Sequence, residues 1–306
     1  MNNNPKTLSY ESFHALLHEI EPGSTLTNAS PLQVDGTHPM YVLEAHSAAG
    51  NPIRLVVKCY RTDFGPADAR ARLEFKTLRQ LQRYEVPAPV PILLDEAGKF
   101  FGTPTLVTEY VVDKQMLTSS NGLACARELA KTLVKIHSVP CGVTEQQYLL
   151  DAHQEYLWFM ASGVTPDYMV RHPDGQMVWD RVTQLLSAEA IVSPALVHTD
   201  YWMGNVLWDQ GKIVAVVDWE EAGYGDPGYD VAYCRMDMVL SRMGKPAADE
   251  LLNVYESEMG RSVANLDLWE YAVTPRPMKD PDWESSCHQE LRDFIAHIPL
   301  RSSSAH

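Results

Sequence analysis

The sequence predicts an α+β chain, with an antiparallel sheet plus helix in its first part and a mainly helical second part. Three observations carry this. Residues 25–60 read as short strands separated by turns, with clean alternation from Ile53 to Tyr60. Beyond Asp113 the apolar spacing changes to the helical one, as in Leu123, Ala126, Leu129, Ala130, Leu133 and Ile136. One hairpin interrupts the helices: Val206 to Trp208 and Ile213 to Val217 flank Asp209-Gln210-Gly211-Lys212, a turn of glycine and short polar residues. The domain boundary is expected after Val111, giving lobes 1–111 and 112–306.

In chain order, Ser9 to Glu19 predicts a short helix with Phe13, Leu16, Leu17 and Ile20 on its apolar side. Asp35-Gly36 and Ala49-Gly50-Asn51-Pro52 predict two hairpin turns. In the strand that follows, Ile53, Leu55 and Val57 face one side, and Arg54, Val56, Lys58 and Tyr60 the other. Lys58 therefore sits on a strand among apolar neighbours. Gly65-Pro66 opens a helix, proline being suited to the first turn. On it Glu74 shares a stripe with Ala71, Leu78 and Leu81, and a carboxylate on a buried stripe needs a cation. Lys58 is the candidate. Ile92 to Leu94 and Pro104 to Val112 predict the last strands of the first lobe. In the second lobe, 145–190 combines aromatic residues with acids, and Ala232 to Leu240 and Ala247 to Met259 predict helices. The tail from Trp269 through Pro281 is expected to wrap over that lobe, and Leu300 to His306 to fray.

The hairpin carries the chemistry. Asn205 enters its first strand and Asp218 leaves its second, so antiparallel pairing is expected to bring the two side chains together. An amide oxygen and a carboxylate suit Mg²⁺, which needs few protein ligands when phosphates supply the rest. Asp200 precedes Asn205 by five positions on the feeding loop. A residue to accept a hydroxyl proton and two metal holders are the parts of a phosphoryl-transfer site.

His198-x-Asp200-x4-Asn205, then Val217-Asp218-Trp219 and Gly225-Asp226-Pro227-x-x-Asp230, resembles the aminoglycoside phosphotransferase-like family of small-molecule kinases. That family shares the bilobal protein-kinase-like fold with choline, homoserine and fructosamine kinases. The resemblance implies Asp200 as the residue that orients the acceptor hydroxyl and takes its proton, with His198 propping the catalytic loop. It implies Asn205 and Asp218 as Mg²⁺ ligands, and Lys58, oriented by Glu74, on the non-transferring phosphates of ATP or GTP. It puts the nucleobase contact near Glu109 and Val111, and the phosphate-covering hairpin at Asp35-Gly36. Asp230 is expected to cap a helix and brace the catalytic loop. Two departures stand out: Thr199 where many relatives carry glycine, and Trp219-Glu220 where protein kinases have Phe-Gly.

The formal charge of −15 disfavours nucleic acid as a partner. It agrees with an acidic cleft for a cationic acceptor such as an aminoglycoside or amino alcohol, lined by the run Glu145 to Asp180 with Glu220 and Glu221. Choline-like amines, macrolides and neutral sugars stay open as acceptors, as does a catalytically retired nucleotide-binding module. The longest apolar runs are about five residues, too short for a membrane span, and the polar start lacks a secretory signal. Five cysteines without a Cys-x-x-Cys pair indicate free thiols in a cytoplasmic protein.

Overall fold

The computed structural model describes residues 9–32, 38–63, 65–114, 122–279 and 288–298. The chain divides into two compact units, 1–112 with 215–220, and 113–214 with 221–306.

The first unit is a five-stranded antiparallel sheet of order β1-β2-β3-β5-β4, with a helix on each face. Helix α1 (Tyr10–Ile20) starts at Ser9, whose hydroxyl accepts from the Ser12 amide. Its buried residues Phe13, Leu16 and Leu17 form one apolar cluster with Leu26 of β1 (Thr25–Pro31), Leu43 and Ala45 of β2 (Met40–His46), and Leu55, Val57 and Cys59 of β3 (Pro52–Cys59). Lys58, between Val57 and Cys59, therefore points to the opposite face, where α2 (Ala67–Leu81) lies. Along α2 the residues Ala71, Glu74, Leu78 and Leu81 are all buried, as their spacing predicts. Strands β4 (Pro91–Asp95) and β5 (Thr105–Glu109) pack against α2 and complete the sheet. The Asp35-Gly36 turn lies outside the described residues, but the Leu32 amide donates to the Met40 carbonyl at 2.9 Å across its base. The second turn has Gly50 at φ +83° and a Gly50 amide to Ser47 carbonyl bond of 2.8 Å.

The second unit is mainly helical. Helix α3 (Gly122–His137) buries its predicted stripe from Ala126 to Ile136, but Leu123, expected on the same stripe, is exposed. The expected helical stretch of 145–190 comprises α4 (Val143–Gln146), the short strand β6 (Leu150–Asp151), α5 (Ala152–Tyr156), α6 (Asp167–Arg171) and α7 (Gly175–Leu186). Strand β7 (Ala195–Val197) leads into a 3-10 turn, Met203–Asn205, and the hairpin β8 (Val206–Asp209) and β9 (Lys212–Val216). The hairpin turn has Gln210 at φ +51° and Gly211 at φ +74°, the two positive angles of the tight turn that matches strand twist. The chain passes into the first unit at Ala215 and returns after Glu220. Strand β10 (Gly223–Gly225) then pairs parallel with β6 and antiparallel with β7. Helices α8 (Gly228–Leu240), α9 (Lys245–Met259), α10 (Leu266–Val273) and α11 (Pro275–Met278) follow, and the tail ends in a helix, His288–His297, packed on α8. Leu300 to His306 lie outside the described residues.

Among the described residues, Cys59, Cys125 and Cys234 are buried and Cys141 is half-buried, all free thiols; Cys287 lies outside them. No described helix is long and apolar enough to cross a membrane.

Candidate active site

In the first unit everything converges on the Lys58 ammonium. It lies 2.8 Å from Glu74, 2.6 Å from Asp218 and 3.0 Å from Glu220. Glu74 is buried and held on all sides: the Tyr60 hydroxyl donates to one oxygen, and the Trp219 amide donates to the other at 3.3 Å. Burial alone would strip the proton from Lys58, but Glu74, Tyr60, Asp218 and Glu220 hold its pKa well above the ordinary lysine value. Burial likewise raises Glu74, against the pull of Lys58. Glu220 carries two further partners, the His38 Nε2 at 2.8 Å and the Arg70 guanidinium at 3.3 Å. His38 Nδ1 accepts from the Arg61 amide, which leaves Nε2 as the nitrogen in contact with Glu220. Glu220 is thus a third carboxylate on Lys58 rather than an acid lining an acceptor mouth, as its position after Asp218 had suggested. Three carboxylates against Lys58 and Arg70 leave one negative charge in excess. Their nearest oxygens lie within 4.8 Å of one another, and Asp218 is nearly half exposed. Lys58 already occupies an oxygen of each, so the exposed Asp218 is the member of this set with room for a hard cation such as Mg²⁺.

At the end of β5 the Glu109 amide donates to the Val90 carbonyl and the Tyr110 amide to the Arg54 carbonyl, so both are spent within the sheet. Val111 is the second residue past the strand end.

In the second unit the loop after β7 is built on Asp230. Its two oxygens accept the His198 amide at 2.7 Å and the Thr199 amide at 2.9 Å. Behind it, His137 Nε2 lies 3.2 Å from the same carboxylate and its Nδ1 is 2.8 Å from the Tyr255 hydroxyl. Asp230 therefore braces the loop as expected, but it does not cap α8. That end is served by Asp226, which accepts the Gly228 amide at 2.8 Å. Thr199 sits at φ +70°, a left-handed angle costly for a β-branched residue, and its hydroxyl donates to the Glu221 carbonyl at 2.9 Å. His198 is buried and its Nδ1 accepts the Asp200 amide at 3.3 Å, which props the loop. A Cβ at Gly204 would meet the partly exposed Trp202 ring at 2.4 Å, so a larger residue there would displace that ring.

Asp200 is held at both oxygens. Asn205 Nδ2 donates to Oδ2 at 2.9 Å and to the Asp200 carbonyl at 2.9 Å, so the Asn205 amide oxygen is turned away as a potential cation ligand. Arg276 Nη1 donates to Oδ1 at 2.7 Å, and its Nη2 to the Thr199 carbonyl at 3.3 Å. Each carboxylate oxygen keeps a lone pair for an incoming hydroxyl. The structure thus joins Asp200 to His198 and Asn205 in the second unit, and Lys58 to Glu74 and Asp218 in the first. Asn205 and Asp218 belong to different units.

Sequence reasoning missed Arg276, His38, Tyr60 and Asp237, which accepts the Met203 amide at 3.2 Å. Strand alternation put Tyr60 on the face of Lys58, but the other three have no local signal; Arg276 is 76 positions from Asp200. Of the aromatics of 145–190, Tyr156 and Phe159 are core, whereas Tyr148, Trp158, Tyr168 and Trp179 are half-buried. Tyr156 stacks on Tyr229 at 3.6 Å and meets Trp269 edge-on, while Phe159 packs on Trp179. Of the acids there, Asp151 accepts the His153 amide at the start of α5 and Asp174 pairs with Arg292.

A strand lysine gripped by a helix glutamate in the first unit, and a loop aspartate steadied by an asparagine in the second, are the pairings of the protein-kinase-like fold. Residues 13–266 match the model of the phosphotransferase enzyme family, and the chain belongs to it. The fold is that of a thermostable mutant of aminoglycoside phosphotransferase APH(4)-Ia, solved with ADP and hygromycin B (TM-score 0.65, 15% identity, 93% of this chain and 98% of that one). It is also that of the amicoumacin kinase hAmiN, solved with AMP-PNP and Ca²⁺ (TM-score 0.63, 14% identity, 98% and 97%). Among curated proteins, it is similar to mouse acyl-CoA dehydrogenase family member 10, 26% identical over 278 residues. That match covers 77% of this chain and 25% of the mouse protein, so the chain spans about a quarter of that relative's length. The hygromycin-B 4-O-kinase of Escherichia coli is 57% identical over 37 residues, 12% of this chain and 11% of that one.

Proposed function

We propose that the chain transfers the terminal phosphoryl group of Mg²⁺-bound ATP, or GTP, to a hydroxyl of a small molecule in the cytoplasm. The observation that carries this is the clamped Asp200 carboxylate, held at both oxygens yet able to accept a hydroxyl proton. In this reading 1–111 forms the nucleotide-binding lobe and 112–306 the catalytic and acceptor-binding lobe. Lys58, fixed by Glu74, steadies the non-transferring phosphates, and the chain near Glu109 and Val111 meets the base. Asn205, through its amide oxygen, and Asp218 would hold Mg²⁺, which supplies charge neutralisation of the phosphates. Asp200 orients the acceptor hydroxyl and takes its proton, while His198 keeps the loop in place. The protein contributes positioning and electrostatics rather than covalent chemistry. The test is Mg²⁺-dependent ADP release across an acceptor library, with Asp200→Asn as the control. A nucleotide-binding module without turnover would bind ATP–Mg²⁺ equally well and release no ADP with any acceptor.

A further inference from the structure

The cation on Asp200 is the one element of the site that neither the family match, which ends at residue 266, nor the motif spacing supplies. Arg276 belongs to the short helix α11 and reaches Asp200 from there. Its guanidinium is fixed from several directions: Asp200 Oδ1 at 2.7 Å, the Thr199 carbonyl at 3.3 Å, and the Tyr233 ring 4.9 Å away. Burial would weaken its charge, but Tyr229, Tyr233, Asp200 and Glu221 hold its pKa well above the ordinary arginine value. It is therefore a permanent cation. The side chains of Arg276 and Asp200 are 24% and 26% exposed, so both are open to solvent to the same degree. Any acceptor whose hydroxyl reaches Asp200 also meets this guanidinium.

We propose that Arg276 selects the acceptor, favouring a hydroxyl compound with an anionic oxygen group beside the reacting hydroxyl and disfavouring an ammonium there. Two of the five guanidinium donors go to Asp200 and Thr199, and the planar fork is shaped to pair with a carboxylate or phosphate. An ammonium at that place would face a like charge, and the Asp200 carboxylate that could offset it is already paired with Arg276. The net charge of −15 argues for a cationic acceptor, but that is a long-range effect screened over about 8–10 Å. A fixed cation 2.7 Å from Asp200 acts at contact and decides what sits next to it. The inference rests on the kinase reading above and adds the chemical class of its acceptor.

The test uses three acceptors on one carbon frame: glycerate, glyceramide and aminopropanediol, with ADP release measured at saturating ATP–Mg²⁺. For the native protein kcat/KM is expected to fall in that order, with glycerate ahead of aminopropanediol by at least about tenfold. Arg276→Met should bring the ratio to within about twofold, whereas Arg276→Lys, which keeps the charge but not the fork, should retain part of the preference. Equal or better use of aminopropanediol by the native protein overturns the inference whatever the variants do. An Arg276→Met protein that loses activity on all three alike, with the ratio unchanged, also overturns it and makes Arg276 a support for Asp200 only. Should that variant not fold, the native series and Arg276→Lys still decide. Turnover of none of the three, together with Asp200-dependent ADP release on another hydroxyl compound, sinks the inference and leaves the kinase reading standing. No release with any acceptor removes both.

Discussion

The Thr199 amide donates to Asp230 at 2.9 Å while Thr199 is held at φ +70°. One buried carboxylate thus holds a left-handed residue immediately before Asp200. Asp230→Ala would leave the His198 and Thr199 amides and His137 without their buried acceptor. Each lost partner costs about 1–3 kcal/mol, so a loss of several kcal/mol is expected in urea unfolding. A loss under about 1 kcal/mol would show that the loop holds itself without Asp230.

Thr199 offers a finer test. Glycine removes the left-handed strain of about 1–2 kcal/mol but also the bond to the Glu221 carbonyl, worth about 1 kcal/mol. Thr199→Val keeps the strain and loses the bond. Thr199→Gly is therefore expected near native stability, with Thr199→Val below it by about 1–2 kcal/mol. The reverse order in thermal unfolding would mean that the backbone angle carries no strain.

Asp200→Asn preserves size and leaves one oxygen for Arg276 or a hydroxyl, but removes the proton acceptor. Phosphoryl transfer is expected to fall by at least about a hundredfold, with nucleotide affinity nearly unchanged. Turnover within a few-fold of native, measured as ADP release, would take Asp200 out of the role.

Asp218→Asn removes one of three carboxylates around Lys58 and, on the proposed assignment, a metal ligand. Calorimetric titration should show Mg²⁺–nucleotide binding weakened much more than metal-free nucleotide binding. Equal weakening would place Asp218 with Lys58 alone.

Asp237 gives a pH signature. Burial raises its carboxyl from 3.8 to about 6, partly offset by the Met203 amide and Ser241. A carboxyl whose folded pKa lies above its unfolded one gives stability that is complete below about pH 4 and lost as pH rises through about 6. The loss is at most about 3 kcal/mol, and less where solvent reaches the group. Asp237→Asn should be more stable than native at pH 8 and about equal to it at pH 4. Parallel curves of unfolding free energy against pH for the two proteins would show that Asp237 ionises without cost.

The sequence alone determined the parts that obey short-range rules. Strand alternation put Lys58 on the face opposite Val57, and helical spacing put Glu74 on the buried stripe of α2. Gln210-Gly211 encoded its own turn. Asp200 and Asn205 share one loop, so their contact followed from their spacing. In each case the physics is local: pleat, helical period, turn dihedrals. Only the tertiary structure decided what those groups meet. Glu220, expected from the sequence to line an acceptor cleft, is drawn onto Lys58 and His38, since a buried ammonium attracts nearby carboxylates. Asp230 sits where a helix-capping acid is expected, yet it leaves the helix end to Asp226 and accepts from two loop amides. Arg276 reaches Asp200 from 76 positions away, and nothing in the composition of either segment announces the pair. Long-range pairings of charge are set by the packing of distant elements, and a one-dimensional pattern carries no record of which elements will pack together.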